Sequence, residues 1–197
     1  MSAATIGIVV AAGSATRMGE PKALMPIGER PMLQWVVDAA EASSLSRVVV
    51  VTGHAEAAIR GGIQLNRAEW AHNPDPGRGT MSSLRAGLEA AGPAEAVVKL
   101  VSDQPEIRTS VIDALLLAWD PGQYDAALVS YVDGDGHPLL VATDVVAELA
   151  DGDRLLWHLI EERPDRIMRV TSNQTRPVDV NTPEDYRAVI DRLSGRP

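Results

Sequence analysis

Residues 13–22 read Gly-Ser-Ala-Thr-Arg-Met-Gly-Glu-Pro-Lys, directly after an apolar run at 6–12. Small residues at Ala11, Ala12 and Gly13 let backbone amides approach a ligand, and Gly13 and Gly19 can adopt positive φ where a turn needs it. A loop of this kind can form a concave nest of N–H groups around a phosphate. Arg17 and Lys22 add two cations to a segment otherwise poor in charge. The spacing is neither that of a G-x-x-x-x-G-K-[ST] loop nor that of G-x-G-x-x-G. A second candidate is Asp103 in Ser102-Asp103-Gln104-Pro105, which follows the apolar run 96–101. A carboxylate at the end of a central strand suits Mg²⁺, which favours carboxylates together with substrate phosphates. An Asp there can also simply cap the next helix. Lysine is scarce: Lys22 and Lys99 stand beside 16 arginines, so each is conspicuous.

The elements that must position these residues alternate in type. Short apolar runs at 6–12, 47–52, 96–101 and 126–131 predict strands buried on both faces, as in parallel sheets covered by helices. Amphipathic stretches at 32–42, 56–65, 80–91, 109–119, 145–150, 155–162 and 183–193 predict helices between and after them. Pro31 and Thr182-Pro183 suit helix starts, where proline loses no hydrogen bond. Gly134 and Gly136 interrupt 131–141 and predict a hairpin. Strand–helix alternation implies right-handed crossovers and an α/β fold. In open α/β sheets ligands bind beyond the carboxyl ends of the strands. The important loops therefore begin at Ala12, Thr52, Asn73, Ser102 and Val180.

Composition narrows the chemistry. With no cysteine among 197 residues, disulfides, Cys-ligated metals and thiol nucleophiles are all excluded. A net charge of -9 argues against duplex nucleic acid as a partner. No apolar run reaches the roughly 18–20 residues of a membrane span, and the first one has no basic leader. The expectation is a single domain over 1–197, cytoplasmic, with neither membrane nor nucleic acid as partner. His54 and His72 follow strand ends without pairing as ligands. His158 and the tryptophans at 35, 70, 119 and 157 read as packing residues.

The segment AAGSATRMGEPKALMPIGERPML resembles the signature of small nucleotidyltransferases, A-A-G-x-S-x-R-M-G-x-x-K. More specifically, it is similar to that of the molybdenum-cofactor nucleotidyltransferases, among them the cytidylyl branch. The resemblance implies a three-layer Rossmann-like fold, with a mostly parallel sheet and a small antiparallel part. It implies transfer of CMP from CTP to the phosphate of molybdopterin, with release of pyrophosphate, assisted by Mg²⁺. A molybdoenzyme or its chaperone is then a further partner. Lys22 and Arg17 become the catalytic cations; Ala11, Ala12, Gly13, Ser14, Ala15, Gly79 and Ser83 become nucleotide-binding. Asp103 matches the metal carboxylate of the Asp-Gln-Pro motif. Val178-Asp179-Val180-Asn181-Thr182-Pro183 resembles the second metal motif, D-I-D-T-P, with Asn181 at its second acidic position, so either Asp179 or Asn181 supplies the second ligand. Gly136-His137-Pro138 resembles a segment on the acceptor side and nominates His137.

Ala12 carries the expectation of base choice. Cytidylyl members resemble A-A-G here and guanylyl members A-G-G, so a methyl at position 12 is expected to crowd a purine. Guanylyl transfer to the same cofactor, transfer to another phosphorylated acceptor such as a sugar phosphate, and a non-catalytic nucleotide-binding module are the competing readings. Retention of Arg17, Lys22 and Asp103 speaks against the last.

Overall fold

The computed structural model describes residues 4–13, 16–17, 20–150 and 156–194. Its centre is a seven-stranded sheet made of β1 (Thr5–Ala11), β2 (Arg47–Thr52), β3 (Glu69–His72), β4 (Ala96–Val101), β5 (Ala126–Tyr131), β6 (Gly134–Ala142) and β7 (Ile167–Thr171). The order is β7-β5-β6-β4-β1-β2-β3. All neighbours are parallel except β6, which is antiparallel to both β4 and β5. Two small antiparallel ladders, Thr16–Arg17 with Glu20–Pro21 and Pro26–Ile27 with Arg30–Pro31, lie outside this sheet. The α/β class with a mostly parallel sheet is therefore as expected.

Seven helices accompany the sheet in the described residues: α1 (Met32–Glu41), α2 (Glu56–Gly62), α3 (Thr80–Ala91), α4 (Thr109–Ala118), α5 (Thr143–Ala150), α6 (Leu156–Glu162) and α7 (Pro183–Ser194). The continuous apolar strands are explained by their two covered faces. On one side Leu33, Val36 and Val37 of α1 and Ile112 and Leu115 of α4 pack on Val9, Val50, Val98 and Val129. On the other, Leu84 of α3 and Val145, Val146 and Leu149 of α5 pack on Ile8, Val51, Val97 and Leu139. Each fully buried aliphatic side chain contributes about 1.5–3 kcal/mol. A separate small cluster, Ile27, Met32, Val180, Val189 and Leu193, holds α7 against the 26–31 ladder. That docking brings residues 178–182 back to the end of β4.

Two edge strands, β3 and β7, are absent from the sequence reading. Their burial alternates or is partial, with Glu69 and His72 of β3 and Arg169 of β7 outside the core. α2 stops at Gly62 rather than at 65 because the next residue is extended. A Cβ on Gly62 would also lie 2.8 Å from Leu24. Pro31 is not the first helical residue of α1 but its N-cap, inside the second small ladder. Pro183 does open α7, and Thr182 caps it: Asp185 N–H donates to Thr182 Oγ1 at 3.1 Å, while Asp185 accepts from Thr182 N at 2.7 Å. This is a reciprocal capping box.

Candidate active site

The loop after β1 and the ends of β4 and of the 178–182 segment meet at the carboxyl edge of the sheet. Lys22 opens a short 3₁₀ turn, Lys22–Leu24. Its Nζ donates to Asp103 Oδ2 at 2.8 Å and to Asn181 Oδ1 at 3.0 Å. Both ion-pair partners are largely covered, with side-chain exposures of 12% for Lys22 and 24% for Asp103. Val180 N–H donates to Asp103 O at 3.0 Å, so the two acidic motifs are pinned by backbone as well as side chain. Asn181 N–H in turn donates to Asp185 Oδ2 at 3.0 Å.

Asp179 accepts from Gln104 Nε2 at 2.9 Å. Its carboxyl is pushed up from the usual range, chiefly by lost solvation and then by the charge of Asp103; Gln104, Lys22 and Lys99 oppose the shift. Gln104 is buried, and its Oε1 has no hydrogen-bond partner among the described residues. The residues predicted as metal ligands are thus brought together through Lys22 and Gln104. Two carboxylates, close enough for Asp103 to raise Asp179, and a nearby amide oxygen form a hard-oxygen set that fits a divalent cation. Among the described residues, no group of three or more His, Cys, Asp or Glu could hold such an ion alone. A set of this size is one that substrate phosphates complete.

Lys99 is a site residue to which the sequence reading gave no role. It lies on β4 and is 8% exposed, with its Nζ 3.0 Å from His137 Nε2. Burial pushes the Lys99 ammonium down, against the charges of Asp103 and Asp179. His137 falls to about 3, through burial first and then the Lys99 charge. The signal was present, since a lysine interrupts an otherwise apolar central strand. His137 is joined to Pro138 by a cis peptide bond, and its carbonyl accepts from Tyr131 Oη at 2.7 Å. Beside it, Gly136, Gln104, Asp179 and Arg176 line a cleft of about 350 Å³. A Cβ on Gly136 would lie 3.1 Å from the Arg176 side chain and 3.2 Å from the Tyr131 ring, so the wall is closely packed there.

The loop 73–80 leads into α3. Asn73, 3% exposed, donates from Nδ2 to Ser83 Oγ at 3.0 Å and to Ser82 Oγ at 2.8 Å. Its Oδ1 accepts from Asp75 N at 3.0 Å. Ser83 itself is buried, so its hydroxyl braces the loop. Gly79 has φ +84°, and a Cβ added to it would meet nothing within 4 Å, so its backbone is open. Only glycine tolerates that conformation readily.

The position of Ala12 corrects one expectation. The residue is 2% exposed. A Cβ at Gly53 would fall 3.1 Å from Ala12 Cβ, 2.7 Å from Ala12 O and 3.0 Å from Pro76 Cγ. The methyl therefore faces the Gly53 turn and is covered there, and direct crowding of a base by it is not what the geometry offers. Ala11 is buried at the end of β1, and Gly13 is exposed. Ser14 and Ala15 lie outside the described residues, as does the side chain of Arg17, whose backbone pairs with Glu20. His72 Nδ1 lies 2.9 Å from Glu56 Oε2, away from the acidic motifs. Trp35 and Trp119 donate to backbone carbonyls, and Trp70 lies against Arg60, so these three are packing residues.

Comparison with known proteins places this geometry. The crystal structure of the Mycobacterium tuberculosis Rv0371c homologue from Mycobacterium sp. strain JC1 is similar at 30% identity, covering 96% of each chain, with a TM-score of 0.86. The structure of Rv0371c from Mycobacterium tuberculosis H37Rv in complex with manganese is similar at 27% identity and a TM-score of 0.81, covering 95% of this chain and 98% of that one. The bifunctional protein GlmU of Burkholderia orbicola is 31% identical over 136 residues, 68% of this chain. The match spans 30% of that relative's own length. No helix among the described residues is long and apolar enough to cross a membrane. Residues 7–191 match the model of the MobA-like NTP transferase domain, and the chain with its Lys22, Asp103 and Asn181 cluster belongs to that family.

Proposed function

We propose that this chain is a nucleotidyltransferase that moves CMP from CTP to the phosphate of molybdopterin, releasing pyrophosphate. The observation that carries this reading is the contact of Lys22 with both Asp103 and Asn181, which joins the phosphate loop to the acidic motifs. In such a transfer an acceptor phosphate oxygen attacks the α-phosphorus. The O–P bond to that oxygen forms as the bond to the pyrophosphate leaving group breaks. The protein's task is alignment and neutralisation of charge on the phosphoryl oxygens.

Lys22 has three ammonium hydrogens, of which Asp103 and Asn181 take two. The remaining donor meets an α-phosphate oxygen, and Arg17 clamps the outer phosphates with its planar fork. Backbone amides from Gly13 to Ala15 hold further oxygens, and the open Gly79 backbone lies beside the base. Mg²⁺, held by Asp103 and by either Asp179 or Asn181, would supply further neutralisation of the phosphates; the manganese complex of a relative supports a divalent cation here. The cleft bounded by His137 and Gly136 receives the acceptor. In this reading the chain is a cytoplasmic biosynthetic enzyme that hands its product to a molybdoenzyme or its chaperone.

The test is pyrophosphate release with Mg²⁺, molybdopterin and each nucleoside triphosphate in turn. Release with CTP and molybdopterin is the expected result. Release with GTP alone would convert the assignment to guanylyl transfer. Release with a sugar 1-phosphate and none with molybdopterin would reject the acceptor.

A further inference from the structure

Lys99 takes no part in the transfer steps above, yet it is the more deeply placed of the chain's two lysines. It lies on β4 opposite Leu139 of β6 and Ile8 of β1. Burying a cation in such apolar surroundings costs stability unless a partner compensates it. The partner is His137, whose Nε2 is 3.0 Å away and whose ring lines the acceptor cleft.

The contact admits one consistent protonation pattern. Two cations at this distance beneath the sheet would repel strongly, so one of the pair is neutral. An ordinary imidazole loses its proton near 6.5 and an ordinary ammonium near 10.4, so the lysine keeps its charge. Burial works against that charge, and Asp103 and Asp179 act in its favour. An ammonium can only donate. Nε2 must then accept, and a neutral ring that accepts at Nε2 carries its hydrogen on Nδ1.

We propose that Lys99 is a positioning residue, which locks His137 into the neutral Nδ1–H tautomer and fixes the ring in the wall of the acceptor cleft. The acceptor then meets an uncharged ring of fixed hydrogen-bond polarity, a consequence that rests on the transfer reading. The tautomer itself does not depend on that reading.

The experiment is imidazole ¹⁵N labelling of the full chain, with long-range ¹H–¹⁵N correlation and no ligand added. The chain has four histidines, and His137→Asn assigns the relevant signals by their loss. In the parent, Nδ1 should bear the hydrogen and Nε2 should be bare across about pH 6–8. Lys99→Arg keeps a donor-only partner and should keep this pattern. Lys99→Met, apolar and of similar length, removes the donor to Nε2 and should shift the ring population toward the Nε2–H form. A hydrogen on Nε2 in the parent, or an unchanged tautomer in Lys99→Met, overturns the proposal. The parent spectrum decides even if a variant does not fold. In steady-state assays, Lys99→Met should raise KM for molybdopterin about tenfold and leave KM for CTP within about twofold. Equal effects on both KM values would overturn the positioning role. A failed assay alongside the expected spectrum would instead fault the choice of acceptor.

Discussion

Replacing Lys22 by alanine should separate catalysis from folding. The ammonium sits 2.8 Å from Asp103. At an effective dielectric of about 20 that distance corresponds to a gross attraction of about 6 kcal/mol. Most of this is offset by the desolvation of two ions. Both side chains retain some solvent contact, 12% and 24%, so the net loss lies between an exposed pair, about 0–1 kcal/mol, and a buried one. We expect a stability loss of about 1–2 kcal/mol, or roughly 3–6 °C in Tm for a chain of this size. In the proposed transfer the transition state would depend on the same charge more heavily, since phosphoryl oxygens gain charge beside it. One such contact is worth about 2.7–4 kcal/mol, so kcat should fall by about 10²–10³. Pyrophosphate release at saturating CTP and Mg²⁺, with calorimetry on the same preparations, measures both quantities. Turnover within tenfold of the parent would remove Lys22 from the mechanism. A Tm loss beyond about 10 °C would make the activity loss a folding effect and refute the separation of catalysis from folding.

Three further outcomes follow from particular contacts. Asp103→Ala should weaken Mn²⁺ binding to the CTP complex, read by electron paramagnetic resonance, whereas Asn181→Asp should retain or strengthen it; unchanged affinity in Asp103→Ala would reject the ligand assignment. Ala12→Gly removes the methyl that lies beside the Gly53 turn, so GTP should gain on CTP in kcat/KM, by no more than the ~10–200-fold a single methyl commands. A parent that prefers GTP would reject the cytidylyl reading. Asp125 accepts from Arg166 at 2.6 Å and from Arg163 at 3.2 Å. The Arg166 hydrogen bond is the leading cause that holds its carboxyl below the usual range. A depressed carboxyl stabilises above its unfolded value and loses that contribution as pH falls through the folded one. The Tm gap between parent and Asp125→Asn should therefore be full at neutral pH and close below about pH 4; a gap that persists in acid would refute the ion-pair account.

The buried parallel strands were legible because burial on two faces leaves an unbroken apolar run, as in Arg47-Val-Val-Val-Val-Thr52. β3 and β7 were not, since an edge strand with one covered face carries residues such as Glu69 and Arg169 that break the pattern. In the site, Lys22, Asp103, Asp179 and Asn181 announced themselves by loop position and motif, and the structure joins them through Lys22 and Gln104. Lys99 was visible as an oddity, but its partner lies 38 residues on, across an antiparallel pairing that no local pattern fixes. The cover over the Ala12 methyl is illegible in sequence for the same reason: its neighbour, Gly53, belongs to the next strand's loop.

The reversal of β6 has a consequence for how such a chain can change. Six strands deliver their ends to the carboxyl edge of the sheet, and β6 alone delivers its beginning, with Gly136 and His137. The turn from Tyr131 to Gly134 therefore projects from the rim with no crossover helix behind it, and Val132 at its tip is 66% exposed. Lengthening a surface turn costs only about 0.6 kcal/mol per doubling. In the proposed reading, residues inserted there would reshape the wall of the acceptor cleft and loosen the Val132–Gln174 and Asp133–Arg176 hydrogen bonds, leaving β1, Lys22 and the Ala12–Gly53 turn in place. The donor half, spread over loops from three parallel strands, has no such independent joint. If the proposed transfer reading holds, acceptor choice is thus the evolvable half of the molecule, reachable by edits to one short hairpin.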